Sequence, residues 1–136
     1  MLNTLNPDLS AYELQNTGIA ALAHVGDAVY DLMTRTALCI NGAPTAAKLH
    51  TMTTERVCAE AQAKAARAVM PRLDKEESAV FQRGRNTKMR ASRADSEDYM
   101  LATALEALFG YLYLTGKTER LTELMRIIDA LREVTA

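Results

Sequence analysis

A short stretch, Ala23-His24-Val25-Gly26-Asp27-Ala28-Val29-Tyr30-Asp31, restricts this chain more than any other part of it. Its apolar spacing is that of the middle of a helix, yet it carries a glycine and two acids four residues apart, which places both acids on one helical face. Glycine inside a helix costs about 1 kcal/mol relative to alanine. A carboxylate beside an apolar seam costs more unless something positive meets it. A fold that accepts both needs a close-packed neighbour or a cation at this point.

The rest of the composition says what kind of fold that is. Hydrophobic residues make up 49% of the 136, with alanine, leucine and methionine dominant and no tryptophan, a balance that favours helix over sheet. The length suits one domain spanning residues 1–136, with residues 1–10 as a polar N-terminal arm containing Pro7. Sixteen Lys plus Arg against seventeen Asp plus Glu give no overall field that would attract nucleic acid, so any such role rests on local charge. Cys39 and Cys58 read as small core residues in a reducing cytosol. Neither a signal peptide nor an apolar run long enough to span a bilayer is present, so a cytoplasmic chain with no membrane partner is expected.

Helical periodicity runs from about Thr17, a candidate N-cap, to Ile40, and Asn41-Gly42-Ala43-Pro44 turns the chain. Thr45 can cap a short helix through His50, and Thr53 or Thr54 a longer one to Met70 that Pro71 ends. Asp74-x-x-Glu77 is a capping-box start for a helix to about Arg83, with Gly84 at its C-terminal end. Asp95 or Ser96 caps a strongly apolar helix to about Leu114, Gly116 breaks it, and Thr118 caps an amphipathic helix ending near Val134. With no convincing strand, the spacing predicts an all-α domain of about six helices.

Two constellations can carry chemistry. Asp27 and Glu106 are acids embedded in apolar helices; if the helices pack so that they face each other, one must hold a proton unless a cation lies between them. One or two carboxylates with retained water is the usual way to hold magnesium, which can then act on a phosphodiester. The alternative is that Asp27 caps a neighbouring element and Glu106 pairs with an arginine. The second constellation is the run from Arg83 to Arg93, where Arg83, Arg85, Lys88, Arg90 and Arg93 occur without a single acid, beside the neutral donors Asn86, Thr87 and Ser92. Such a run suits contacts to a phosphate backbone, against the alternative of a solvated loop. His24 and His50 lack a paired nucleophile or a metal-ligand spacing and read as structural; Tyr99, Tyr111 and Tyr113 read as core or dimer residues, and Glu60 as solvent-facing.

The segment His24 to Asp31 resembles the signature helix of ribonuclease III catalytic domains. Thr103 to Leu114, with Leu105-Glu106-Ala107-Leu108 and Gly110-Tyr111-Leu112-Tyr113-Leu114, is similar to that family's second acidic helix. Gln82-Arg83-Gly84-Arg85-Asn86, Tyr99 seven residues before Glu106, and no second domain look like the Mini-III subgroup, which lacks the double-stranded-RNA-binding domain. The resemblance places the family's magnesium-binding aspartate at Asp27 and its essential glutamate at Glu106. Full-length ribonuclease III has two further acids, at the places held here by Ala23 and Thr103, and the subgroup lacks both.

What the resemblance implies is a homodimeric, Mg2+-dependent endoribonuclease whose two sites each cut one strand of double-stranded RNA, leaving 5′-phosphates and staggered ends with two-nucleotide 3′ overhangs. The implied substrate is the stem of the 23S rRNA precursor, with a ribosomal protein as a possible shaping partner. Asp27 and Glu106 are then the catalytic and metal-binding residues, and Arg83, Arg85, Asn86, Lys88, Arg90 and Arg93 the RNA-binding ones. Two other readings stay open: a catalytically silent RNA-binding or ribosome-associated module, and an all-helical nucleotide pyrophosphohydrolase, whose Glu-x-x-Glu pattern is met here only loosely by Glu119 and Glu123.

Overall fold

The computed structural model describes residues 3–42, 45–87 and 96–135. Seven α-helices occur among them: α1 (Ala11–Leu14), α2 (Ile19–Ile40), α3 (Ala46–Val57), α4 (Ala59–Val69), α5 (Lys75–Arg85), α6 (Ser96–Leu114) and α7 (Thr118–Thr135), with one 3-10 turn at Met70–Arg72. No described residue is in a strand.

The core is built around α6. Leu101, Leu105, Leu108, Phe109 and Leu112 are almost wholly buried, and α2, α4 and α5 pack around them. Tyr30 from α2 meets Phe109 edge-on at 5.3 Å between ring centroids, a favoured aromatic geometry. An apolar residue on nearly every side of α6 fits its central place, because a helix that is buried all round has no polar face to spare.

Two glycines make the central crossing possible. A Cβ on Gly26 would lie 1.6 Å from the Glu106 carbonyl oxygen and 2.7 Å from the Gly110 nitrogen, and one on Gly110 would lie 1.9 Å from the Leu22 carbonyl oxygen. Contacts that short cannot exist, so α2 and α6 reach this separation only with glycine at both places. The glycine that looked costly in the sequence is what lets the two helix backbones touch.

The capping box is present in both directions: Glu77 N–H donates to Asp74 Oδ1 at 2.8 Å and Asp74 N–H to Glu77 Oε1 at 2.9 Å. Glu77 is also buried and accepts from Arg120 of α7, with Nε to Oε2 at 2.8 Å and Nη2 to Oε1 at 2.9 Å. The same guanidinium donates to the Arg72 carbonyl at 2.7 Å, tying α5, the 3-10 turn and α7 together.

Several local expectations are corrected. The second helix starts at Ile19 with Gly18 as N-cap rather than Thr17. Thr45 does cap, accepting from Lys48 N–H, but the helix runs on to Val57, with the Thr53 and Thr54 hydroxyls bonded back to the Leu49 and His50 carbonyls within it instead of capping a new helix. The break falls at Cys58, whose backbone is extended. Gly84 does not end α5; it lies inside it, where a Cβ would sit 2.8 Å from Ala104 Cα of α6. Cys39 and Cys58 are both exposed rather than in the core.

The N-terminal residues from Asn3 are largely exposed but held to the helices at a few points. Pro7 is buried, Leu9 N–H donates to the Leu114 carbonyl at 2.8 Å, and the Tyr113 hydroxyl donates to the Thr4 carbonyl. They run past Gly116, which has φ of +74°, into α1, a helix absent from the expectation and started by a Ser10–Glu13 capping box. Gly42, with φ of +81°, turns the chain after α2; Ala43, Pro44 and Asp95 lie outside the described residues.

Candidate active site

The glycine crossing decides where the acids go. Gly26 touches the backbone of Glu106, so the next residue along α2, Asp27, is brought beside the Glu106 side chain. Both line one cleft of about 330 Å³. Its wall on α2 is Ala20, Ala23, His24 and Asp27, and on α6 Tyr99, Ala102, Thr103 and Glu106. Each set has the spacing i, i+3, i+4, i+7 of a single helix face. Val57, Ala59 and Gln62 close the third side from the end of α3 and the start of α4.

The electrostatics follow from that geometry. Asp27 is exposed at the cleft mouth and Glu106 is partly buried. Burial, then the nearby Asp27 charge, then a hydrogen bond shared with Asp27 push the Glu106 carboxyl up to about 8, while a hydrogen bond from Gln62 works in the opposite direction by favouring the ionised form. Without a cation the Glu106 carboxyl therefore keeps its proton at neutral pH. A cation in the same place would remove the need for that proton. The two carboxyls offer oxygen donors and the cleft is open to water, which fits a hard, hydrated ion such as Mg2+. Among the described residues no group of three or more His, Cys, Asp and Glu side chains is arranged to hold a metal, so an ion here would rest on two carboxylates and water.

Ala23 and Thr103, the places to which the resemblance assigns further acids in full-length ribonuclease III, line this same cleft. The Thr103 hydroxyl is turned to its own helix, donating to the Tyr99 carbonyl at 3.0 Å.

Asp31 does not join the pair. Its carboxylate accepts from Arg35 Nε at 3.1 Å, one helical turn on. Neither arm of the alternative reading is found, since Asp27 caps no helix and no arginine pairs with Glu106 among the described residues. His24, expected to be structural, is exposed and lines the cleft. His50 is also exposed and shares a separate pocket of about 340 Å³ with Cys39 and Arg35, a proximity its spacing in the chain gave no sign of. Of the tyrosines, Tyr111 is in the core, one of the two places expected, and Tyr99 is 41% exposed at the cleft and so outside the core. Gln62 was overlooked; a lone amide in the alanine-rich run of α4 was the available signal.

The basic run begins at the end of α5. Gly84 packs on Thr103, Ala104 and Ala107, the turns of α6 that flank Glu106, so Arg83 and Arg85 are held near the acidic helix. Arg83 is exposed; Arg85 is half-buried and lies 3.6 Å from Glu97 at the start of α6. Asn86 is the C-cap of α5, and the Thr87 hydroxyl donates to the Arg83 carbonyl at 2.8 Å. Lys88, Arg90 and Arg93 lie outside the described residues.

Among the described residues the fold is all-helical, and it crosses two helices on glycines so that an aspartate and a glutamate line one open cleft. Residues 20–117 match the Ribonuclease III domain family. The chain is 39% identical over 132 residues to Mini-ribonuclease 3 of Clostridium tetani, covering 95% of this chain and 87% of that protein. It is 43% identical over 119 residues to Mini-ribonuclease 3 of Brevibacillus brevis, covering 86% and 89%. The fold is similar to the crystal structure of a Fusobacterium nucleatum protein, with a TM-score of 0.77, 25% identity, and 85% and 90% of the two chains covered. The chain belongs to the ribonuclease III family, in its Mini-ribonuclease III branch, and is an endoribonuclease of that type.

Proposed function

We propose that this endoribonuclease cuts double-stranded RNA with Mg2+ held by Asp27 and Glu106, and that its substrate is the stem of the 23S ribosomal RNA precursor. The observation that carries the reading is the convergence of Asp27 and Glu106, from two different helices, in one open cleft beside the glycine crossing. The ion would supply water activation and charge neutralisation at the phosphodiester.

The protein's own groups do the rest. Asp27 and Glu106 provide the negative charge that fixes the ion, and the rigid crossing at Gly26 and Gly110 fixes the carboxyls relative to each other. Arg83 and Arg85, with Lys88, Arg90 and Arg93, counter the repulsion that an acidic cleft would exert on RNA. Contacts of this kind hold phosphates and 2′-hydroxyls of an A-form duplex and ask for little sequence. The products carry 5′-phosphates.

A homodimer would set two clefts along one duplex groove and give staggered cuts, one per strand, with two-nucleotide 3′ overhangs. An exposed seam on α2 supports it: His24, Ala28 and Leu32 lie on one face, and Leu32 is 63% exposed, a large apolar side chain that a partner would cover. A ribosomal protein that shapes the stem would offset the modest affinity of a chain this small. The silent-module reading draws on Ala23 and Thr103, which leave the cleft with two acids. The pyrophosphohydrolase reading draws on Glu119 and Glu123, which share a separate surface pocket at the start of α7 with Arg120 and do not line the cleft.

Incubating the protein with labelled duplex RNA, the matching single strands and nucleoside triphosphates, each with Mg2+ and with chelator, separates the three readings. Cutting of the duplex alone, and only with Mg2+, is expected. Duplex binding without cutting would favour the silent module, and triphosphate hydrolysis the pyrophosphohydrolase.

A further inference from the structure

Tyr99 stands apart from the rest of its wall of the cleft. Between it and Glu106 the α6 wall is Ala102 and Thr103, and the Thr103 hydroxyl is spent on the Tyr99 carbonyl at 3.0 Å. The α2 wall is equally small at Ala20 and Ala23. A large ring, 41% exposed, therefore stands over small side chains at the end of the α6 wall away from Glu106. The hydroxyls of Tyr30, Tyr111 and Tyr113 are bonded to Arg132, Glu76 and the Thr4 carbonyl, whereas that of Tyr99 has no partner among the described residues. A single exposed ring on a bare surface needs no explanation. This one lines the reacting site with its polar atom unused.

Its position is held from two sides. Arg67 of α4 meets Asp98 at 3.1 Å and Arg85 of α5 meets Glu97 at 3.6 Å, both in the first turn of α6. Exposed pairs of this kind add little stability, so their effect is on placement. Tyrosine has only two side-chain torsions, and ordering it on a ligand costs little. Seven residues of helix set Tyr99 about 10 Å along α6 from Glu106. A strand whose reacting phosphate lies at the acids thus brings a neighbouring nucleotide to the ring. The bases of an A-form duplex are stacked on one another, and its shallow minor groove displays riboses whose 2′-hydroxyls both donate and accept. A tyrosine, apolar on its face and polar at its tip, matches such a sugar.

We infer that Tyr99 is a specificity residue for the sugar: its ring packs on the ribose of a nucleotide beside the cut, and its hydroxyl bonds the 2′-hydroxyl that a deoxyribose lacks. This role rests on duplex RNA being the substrate, as proposed above.

The test uses a synthetic RNA duplex cut at one mapped position, and copies of it that each carry a single deoxyribose near that position. Tyr99→Phe removes the hydroxyl and leaves the ring. On the all-RNA duplex its KM should rise about three- to tenfold, the size of one hydrogen bond, and by more than kcat changes. One deoxyribose position should cost the wild type a similar factor and cost Tyr99→Phe nothing further, the non-additivity of two groups in contact. Tyr99→Leu, which also removes the ring, should raise KM more at an unchanged melting temperature. Deoxyribose penalties that are the same in the wild type and Tyr99→Phe at every position would overturn the assignment. So would a Tyr99→Leu that alters self-association in sedimentation and leaves KM unchanged, since the ring would then belong to an interface between copies. Failure of the duplex reading looks different: the wild type would leave the duplex intact and cut the single strands, and the same variants and deoxyribose series on the strand that is cut would then decide for or against Tyr99. A wild type that neither cuts nor binds either form of RNA would overturn both.

Discussion

At the scale of single residues, Glu106 gives the most quantitative handle. Its ordinary value of 4.5 is raised to about 8 by burial and by Asp27, so between those pH values the folded protein holds a proton that the unfolded chain has released. The resulting contribution to stability is complete below about 4.5 and is lost as pH rises through about 8. Without Mg2+, the protein should lose on the order of 2 kcal/mol across that window, since one unit of pKa corresponds to about 1.4 kcal/mol and the cleft is open to solvent. Chemical denaturation at a series of pH values checks this. Glu106→Gln should flatten the slope, and saturating Mg2+ should flatten it in the wild type. A second residue-scale prediction concerns Glu77, whose buried carboxylate is met by Arg120. Arg120→Met should cost about 3–5 kcal/mol, because it leaves that charge buried and unpaired. Replacing Glu77 and Arg120 together should recover part of the loss in a double-mutant cycle.

At the scale of helices, the crossing of α2 and α6 carries the site. Gly26→Ala and Gly110→Ala each place a methyl where backbone already is, and should destabilise by at least about 1–3 kcal/mol, the usual range for overpacking. Gly18→Ala, with nothing within 4 Å of the added carbon, should cost on the order of 0.5 kcal/mol and serves as the control. Thermal melts of the three variants decide it. Much of this element scale was legible in the chain. The apolar spacing located the long helices, Asp74 and Glu77 announced their capping box, and Gly26 beside Asp27 signalled a close approach. What was not legible has physical reasons. Threonine is both a good cap and a tolerated helix residue, so nothing local told Thr53 and Thr54 that their hydroxyls would bond back to the carbonyl one turn before. Gly84 reads as a helix end by the usual rule and is instead a packing glycine against α6. Gln62 reaches the cleft only through tertiary placement, which no spacing within one helix encodes, whereas His24 shares the α2 face of Asp27 by helical spacing.

At the scale of the whole molecule, charge balance matters most. The formal net charge is −1, so attraction to RNA must come from the arrangement of charge and not from its sum. Arg83→Gln, on an exposed position at the end of α5, should weaken duplex binding and lower the slope of log affinity against log salt by about 1, with cleavage at saturation unchanged. Among the described residues no helix is long and apolar enough to cross a membrane. The central claim is that two carboxyls on crossed helices form the reacting site. Single-turnover cleavage of an end-labelled RNA duplex with Mg2+ by the wild type, Asp27→Asn and Glu106→Gln tests it most directly, with duplex binding and melting temperature followed alongside. Both variants should bind and stay folded while cleavage falls by at least about a hundredfold, equivalent to about 2.7 kcal/mol of transition-state stabilisation. Cleavage at the wild-type rate in either folded variant would contradict the account.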